Sequence, residues 1–127
     1  MGVSLLTIIL VAFGGACGAS LRYLIAQIGF LHAAFPWATL AANLIGALII
    51  GFIVGIVPGR LSPETTAGLK TGFCGGLTTF STFSLEALTL FEKGRYCLAT
   101  AYIITSILLC LMGVFVGRAI AIRCMNG

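Results

Sequence analysis

Four stretches of mainly apolar residues follow one another with short breaks between them, and this pattern limits the fold more than any other feature. They run from about Val3 to Ile28, from Trp37 to Val57, from Ala67 to Leu90 and from Tyr96 to Ile122. A helix needs roughly 20 such residues to cross the hydrocarbon core of a bilayer. The connections, Leu31 to Pro36, Pro58 to Thr66 and Phe91 to Arg95, each contain proline, glycine or charge. Trp37 and Tyr96 stand where interfacial aromatics are expected. Pro58-Gly59 is a turn signal, and Ser62-Pro63-Glu64 reads as a helix start with proline at its first position. Charged residues make up only 8% of the 127 and apolar ones 60%, with a mean hydropathy of +1.17. A soluble domain carries roughly 25% charged residues. So short a chain cannot hide this much apolar surface in one core. The expectation is an all-α membrane protein, residues 1–127 forming a single unit of four transmembrane helices.

The formal net charge of +4 comes from seven scattered Lys and Arg against three Glu. There is no basic run and no aromatic-basic stripe, which excludes a nucleic-acid partner. The partner of first resort is lipid, with the cations as helix-end anchors. The five cysteines form no C-x-x-C pair and sit mostly in apolar stretches, and His32 stands outside them. They read as small hydrophobes rather than metal ligands. The N-terminus lacks the basic region of a cleaved signal peptide, and Leu6 replaces the Ser or Thr of a myristoylation motif. Four spans place both termini on one side, with Arg60, Lys70, Arg118 and Arg123. The other side holds Arg22, Lys93 and Arg95. Topology follows a Lys/Arg imbalance, and four against three is nearly none. Insertion in both orientations and a single orientation both stay open on charge alone.

Each span carries a small-xxx-small pair: Gly14/Gly18, Gly51/Gly55, Gly72/Gly76 and Gly113/Gly117. In lipid, helices associate through close backbone approach, so these predict tight packing. The third span is the unusual one. It reads Gly72-Phe73-Cys74-Gly75-Gly76-Leu77-Thr78-Thr79-Phe80-Ser81-Thr82-Phe83-Ser84. Glycines followed by hydroxyls predict a broken helix, which resumes at about Leu77. Free backbone at membrane depth is tolerated only where it is buried in protein or lines a cavity, and such breaks form ion sites. If the helix resumes there, Phe80 and Phe83 share a face with hydroxyls beside them. Phenyl edges carry positive quadrupole charge, so the pair can meet an anion without a formal charge.

Asn43, with Thr39 one turn earlier, is a buried amide that either glues helices together or donates to an anion. Tyr102 and Ser106 place two hydroxyls on one face of the fourth span. Arg22 and Glu86 are ionisable groups inside spans and so functional suspects, although both stand near enough to an end to snorkel. No catalytic set is present, which argues against an enzyme.

The segment Gly72 to Phe83, together with Gly14-Gly15-x-x-Gly18-Ala19-x-x-Arg22-Tyr23 and Asn43-x-x-Gly46, resembles the CrcB/Fluc family of bacterial fluoride channels over essentially the whole chain. The resemblance implies a dual-topology antiparallel homodimer with its third helix broken near the bilayer midplane. It implies fluoride pathways along the subunit interfaces, lined by Phe80 and Phe83. Asn43 would donate to fluoride, and Tyr102 and Ser106 would belong to a polar wall; Thr39, Ser81 and Thr82 are the neighbouring hydroxyls. The Gly75 and Thr78 carbonyls would hold one structural sodium ion that is not transported. Arg22 matches a basic residue of the family with no role derivable from sequence. Cys110 departs from the pattern, where a hydroxyl would extend the wall. The setting implied is the bacterial plasma (inner) membrane. Two rivals are a proton-coupled exporter of the small multidrug type and a non-transporting scaffold. The first needs an acid deep in a span, and only Glu86 is available; the second needs neither the break nor the hydroxyl-phenylalanine face.

Overall fold

A computed structural model describes residues 4–28, 33–56 and 58–127. Val3, Val57 and His32 lie outside the described residues. The elements in order are α1 (Leu5–Ala26), α2 (Trp37–Ile56), α3 (Pro63–Ala67), a π-helical segment (Gly68–Cys74), α4 (Gly75–Leu77), α5 (Phe80–Glu92) and α6 (Tyr96–Asn126). Three of them, α1, α2 and α6, are long and apolar enough to cross a membrane. The third expected span is instead a broken rod. It starts at Pro63, earlier than its apolar stretch implies, and is interrupted at Thr78-Thr79.

Local chemistry accounts for the ends. Ser62 caps α3 by accepting from the Thr65 N–H at 3.2 Å, with Pro63 at the first helical position. Proline suits that place because its missing N–H has no intrahelical partner there. The turn from α5 to α6 closes on Gly94 at φ +71, with the Gly94 N–H on the Phe91 carbonyl and the Arg95 N–H on the Leu90 carbonyl, both at 2.9 Å. That pairing is a Schellman motif, which needs a left-handed residue and so favours glycine.

The break does not fall where the glycines predict it. Gly72, Gly75 and Gly76 stay helical, the rod runs on through Leu77, and the helix resumes at Phe80 rather than Leu77. Packing overrides the poor helix propensity of glycine. A Cβ at Gly72 would come within 2.6 Å of the Val11 carbonyl oxygen, and one at Gly76 within 2.5 Å of that of Gly15. The glycines thus serve as the track on which α1 lies. The rod widens into π geometry just before this point, with the Gly75 N–H reaching the Lys70 carbonyl five residues back. Single π turns of this kind often accompany functional sites.

The layout is inside-out relative to a soluble bundle. Leu5, Phe13, Leu111 and Phe115 are each more than half exposed, whereas Ala99, Tyr102 and Leu77 are fully buried. α2 packs along α6, where Gly51 and Gly117 let backbones meet Val114 and Leu48. Leu40, Phe83, Ala87, Leu90, Ala99 and Tyr102 form the core between α2, α5 and α6. With lipid outside as apolar as leucine, dispersion across these close approaches holds the helices together.

Two neighbouring glycines of α1 should therefore differ sharply. A Cβ at Gly15 meets nothing closer than 3.9 Å, but one at Gly18 collides with the Phe73 carbonyl. Gly15→Ala should leave thermal stability in detergent nearly unchanged. Gly18→Ala should cost about 1–3 kcal/mol, as overpacking does. Equal melting temperatures for the two variants would refute this packing.

Candidate functional site

At Thr78 (φ −84, ψ 156) and Thr79 (φ −151, ψ 122) the backbone turns extended. A helix end leaves N–H and carbonyl groups without partners, and water cannot supply them inside lipid. Side chains from α1 and α2 do so here. The Thr79 N–H, which in an unbroken helix would go to Gly75, donates to Asn43 Oδ1 at 2.7 Å, and Asn43 Nδ2 donates back to the Thr79 carbonyl at 3.1 Å. Arg22 Nε donates to the Gly76 carbonyl at 3.1 Å. A cation at the end of a helical rod also suits the dipole. Thr79 caps α5, its Oγ1 accepting from the Thr82 N–H at 3.1 Å. Thr78 Oγ1 donates to the Cys74 carbonyl at 2.9 Å.

The sequence motifs find their reasons at this break. Asn43 and Gly46 stand three apart on α2; the amide clamps Thr79, and the bare Gly46 leaves room for the Thr78 methyl group. Gly18 and Arg22 stand four apart on α1. The first admits the rod, and the second caps it. The carbonyls of Gly75 and Thr78 are among those that lose their usual helical donors, because the Thr79 and Thr82 N–H groups are engaged elsewhere.

A groove of about 410 Å³ opens on one side of the break. Asn43, Thr78, Phe80, Phe83, Ser106 and Cys110 are among the residues lining it. Phe80 is 80% exposed and its ring centroid lies 5.6 Å from that of Phe83, with the planes tilted by 41°. Phe83 is buried against Tyr102 at 5.1 Å. The Ser106 hydroxyl is buried and has no hydrogen-bond partner among the described residues. Asn43 has one amide hydrogen left after its bond to Thr79, since the group carries two.

The structure divides the other expected residues. Thr39, Thr82, Glu86 and Arg22 line a second cavity of about 680 Å³ on the far side of the break. Thr39 Oγ1 donates to Glu86 Oε1 at 2.8 Å and the Tyr102 hydroxyl donates to Glu86 Oε2 at 2.7 Å. Both hydroxyl hydrogens are therefore committed to a carboxylate, and Tyr102, fully buried, lines neither cavity. Glu86 does not snorkel; it is an internal acceptor. Ser81 is exposed and lies within 3.2 Å of Thr79 Oγ1, outside the groove lining. Cys110 lines the groove with Ser106, as a thiol where a stronger donor was expected.

Sequence reasoning missed Thr79, which caps α5, receives the Asn43 clamp and lines both cavities. A hydroxyl just before a helix is a capping signal, but the Glu or Gln that would complete a capping box is absent at Thr82.

Asn43→Ala would leave the Thr79 N–H and carbonyl unpaired. The loss should be about 1–3 kcal/mol for each buried group left without a partner. It should appear as a lower unfolding midpoint in detergent and faster amide exchange at Thr79. Unchanged exchange at Thr79 would contradict the clamp.

A family model described as CrcB-like protein, Camphor Resistance (CrcB), matches residues 9–118, which include every residue of the break and groove. Several similar proteins carry the name Fluoride-specific ion channel FluC. The one from Agrobacterium fabrum (strain C58 / ATCC 33970) is 44% identical over 120 residues, covering 91% of this chain and 96% of the relative. That from Geobacter sulfurreducens (strain ATCC 51573 / DSM 12127 / PCA) is 44% identical over 117 residues, covering 87% and 93%. That from Hahella chejuensis (strain KCTC 2396) is 44% identical over 117 residues, covering 89% and 92%. With the family model matching residues 9–118 and a helix break built from the residues of the quoted motifs, this chain belongs to the CrcB family.

Proposed function

We propose that this protein is a passive, fluoride-selective ion channel that lets fluoride leave the cytoplasm, and that it is not an enzyme. The relatives' shared name supports the ion. One observation in the chain itself carries the reading: Ser106, whose buried hydroxyl has no partner among the described residues, lines the same groove as the Phe80–Phe83 pair. Fluoride is small and strongly hydrated, so a path must replace its water with several donors. Ser106, the free amide hydrogen of Asn43 and the phenyl edges supply them without a fixed charge. Conduction needs sites weak enough to release the ion.

The groove is open along one face of the chain, and a second copy in inverted orientation would close it. The near balance of Lys and Arg between the two sides supports insertion both ways, with four transmembrane passes per copy in the bacterial plasma (inner) membrane and the break near its midplane. Tyr102, Thr39, Thr82 and Glu86 then belong to the polar region beyond the break, where Glu86 takes up hydroxyl hydrogens. Gly75 and Thr78 would hold a structural sodium ion. Their carbonyls, without helical donors, fit a hard cation that prefers oxygen. The ion would supply local positive charge that ties the two breaks together.

Liposomes carrying the purified protein should release fluoride, read by an electrode, and retain chloride. Phe80→Ile should suppress the release by at least tenfold, and Ser106→Ala should slow it severalfold. Fluoride retained by vesicles containing folded protein would sink the channel reading and favour a scaffold. Release that depends on a proton gradient and is lost in Glu86→Gln would favour the exporter. Replacing sodium with a large organic cation throughout purification and assay should abolish release; full release would remove the ion from this account.

A further inference from the structure

Three cavities lie in series along the chain. The first, about 460 Å³, is bounded by Leu61, Pro63 and Thr66 beside the exposed turn before α3. It shares a single lining residue, Lys70, with the groove that holds Asn43, Phe80, Phe83 and Ser106. That groove in turn meets the cavity of Glu86 and Lys93 at Thr79. Lys70 therefore stands between the cavity at the exposed end and the groove, whose other lining residues carry no charge.

Its surroundings are unusual for an anchor. Lys70 is half-buried in the π-helical segment, about 12 Å before the break at a helical rise. Among the described residues no hydrogen bond or ion pair engages its ammonium. Of the chain's three acids, Glu86 is held by Thr39 and Tyr102. A cation inside a span, without a partner and facing a cavity, is a functional suspect. The other use of such a side chain is to snorkel to a lipid phosphate.

We propose that Lys70 collects anions at one mouth of the pathway, drawing fluoride out of water toward the uncharged donors of the groove. The inference rests on the channel reading above. A flexible point charge at the entrance raises the local fluoride concentration, and it does not trap the ion because about 12 Å of helical rise separates it from the break. In an inverted pair, each membrane face would receive one Lys70.

The test is the fluoride current through single channels in planar bilayers at low fluoride, for the wild type, Lys70→Gln and Lys70→Arg. Ionic strength is set with sodium glutamate, so that the proposed structural ion stays available. Steering by a charge acts over about 30 Å at 0.01 M salt and about 3 Å at 1 M. At the lower value, Lys70→Gln should carry roughly 3- to 10-fold less current than the wild type. The two should converge at the higher value, and Lys70→Arg should match the wild type at both. Equal currents at low salt would overturn the proposal and assign Lys70 to a lipid phosphate. A deficit of the same size at both salts would overturn it in favour of a structural role. A wild-type current that ignores ionic strength would also overturn it, with no variant needed. If the wild type carries no fluoride at all, the channel reading falls and this one with it. A conducting wild type with an indifferent Lys70 removes this inference alone.

Discussion

Backbone groups released at Thr78 and Thr79 have to find partners inside the protein, and the rest of the structure follows from that need. In hydrocarbon an unpaired N–H or carbonyl costs several kcal/mol. Asn43 answers from α2 and Arg22 from α1, while Thr79 caps the new helix from within. Each of these groups must arrive at a fixed depth and angle. That fixes how α1 and α2 lie against the rod, and the glycines of α1 and α2 are what allow them to lie so close.

The same arrangement makes the groove. Had the rod run unbroken, Thr79 would not face Asn43, and the aromatic pair would not start a new helix at this depth. Because it stops, Phe80 opens α5 and stands exposed beside Ser106, Asn43 and Cys110. The lining holds donors and ring edges but no carboxylate. Of the rod's three carboxylates, Glu64 and Glu92 stand at its two ends, and Glu86 lies past the break with hydroxyls from α2 and α6 on both its oxygens. Chemistry that would repel an anion is thus separated from chemistry that would accept one. A pathway through the groove meets hydroxyl, amide and phenyl before it meets acid.

Apolar periodicity and composition made the helical membrane character plain, and the Pro63 start, the Gly59 turn and the Gly94 corner were all legible as local signals. The presence of a break in the third span was legible too. Its place was not, because glycine propensity points to Gly72–Gly76, while a neighbouring helix keeps those residues helical. For Arg22 the sequence offered suspicion without a role. The acceptor it needed, the Gly76 carbonyl, stands 54 residues away and is free only because the rod ends there.

The sequence by itself determined the solvent, the helical class and the stock of uncharged donors, since these depend on residue types and on spacing along one chain. The tertiary structure alone decided which donors remain available. Tyr102 and Thr39 look like donors in sequence, yet both give their hydrogens to Glu86; Ser106 keeps its own. A hydrogen bond is used up by whichever acceptor lies nearest in space, and that neighbour comes from another helix.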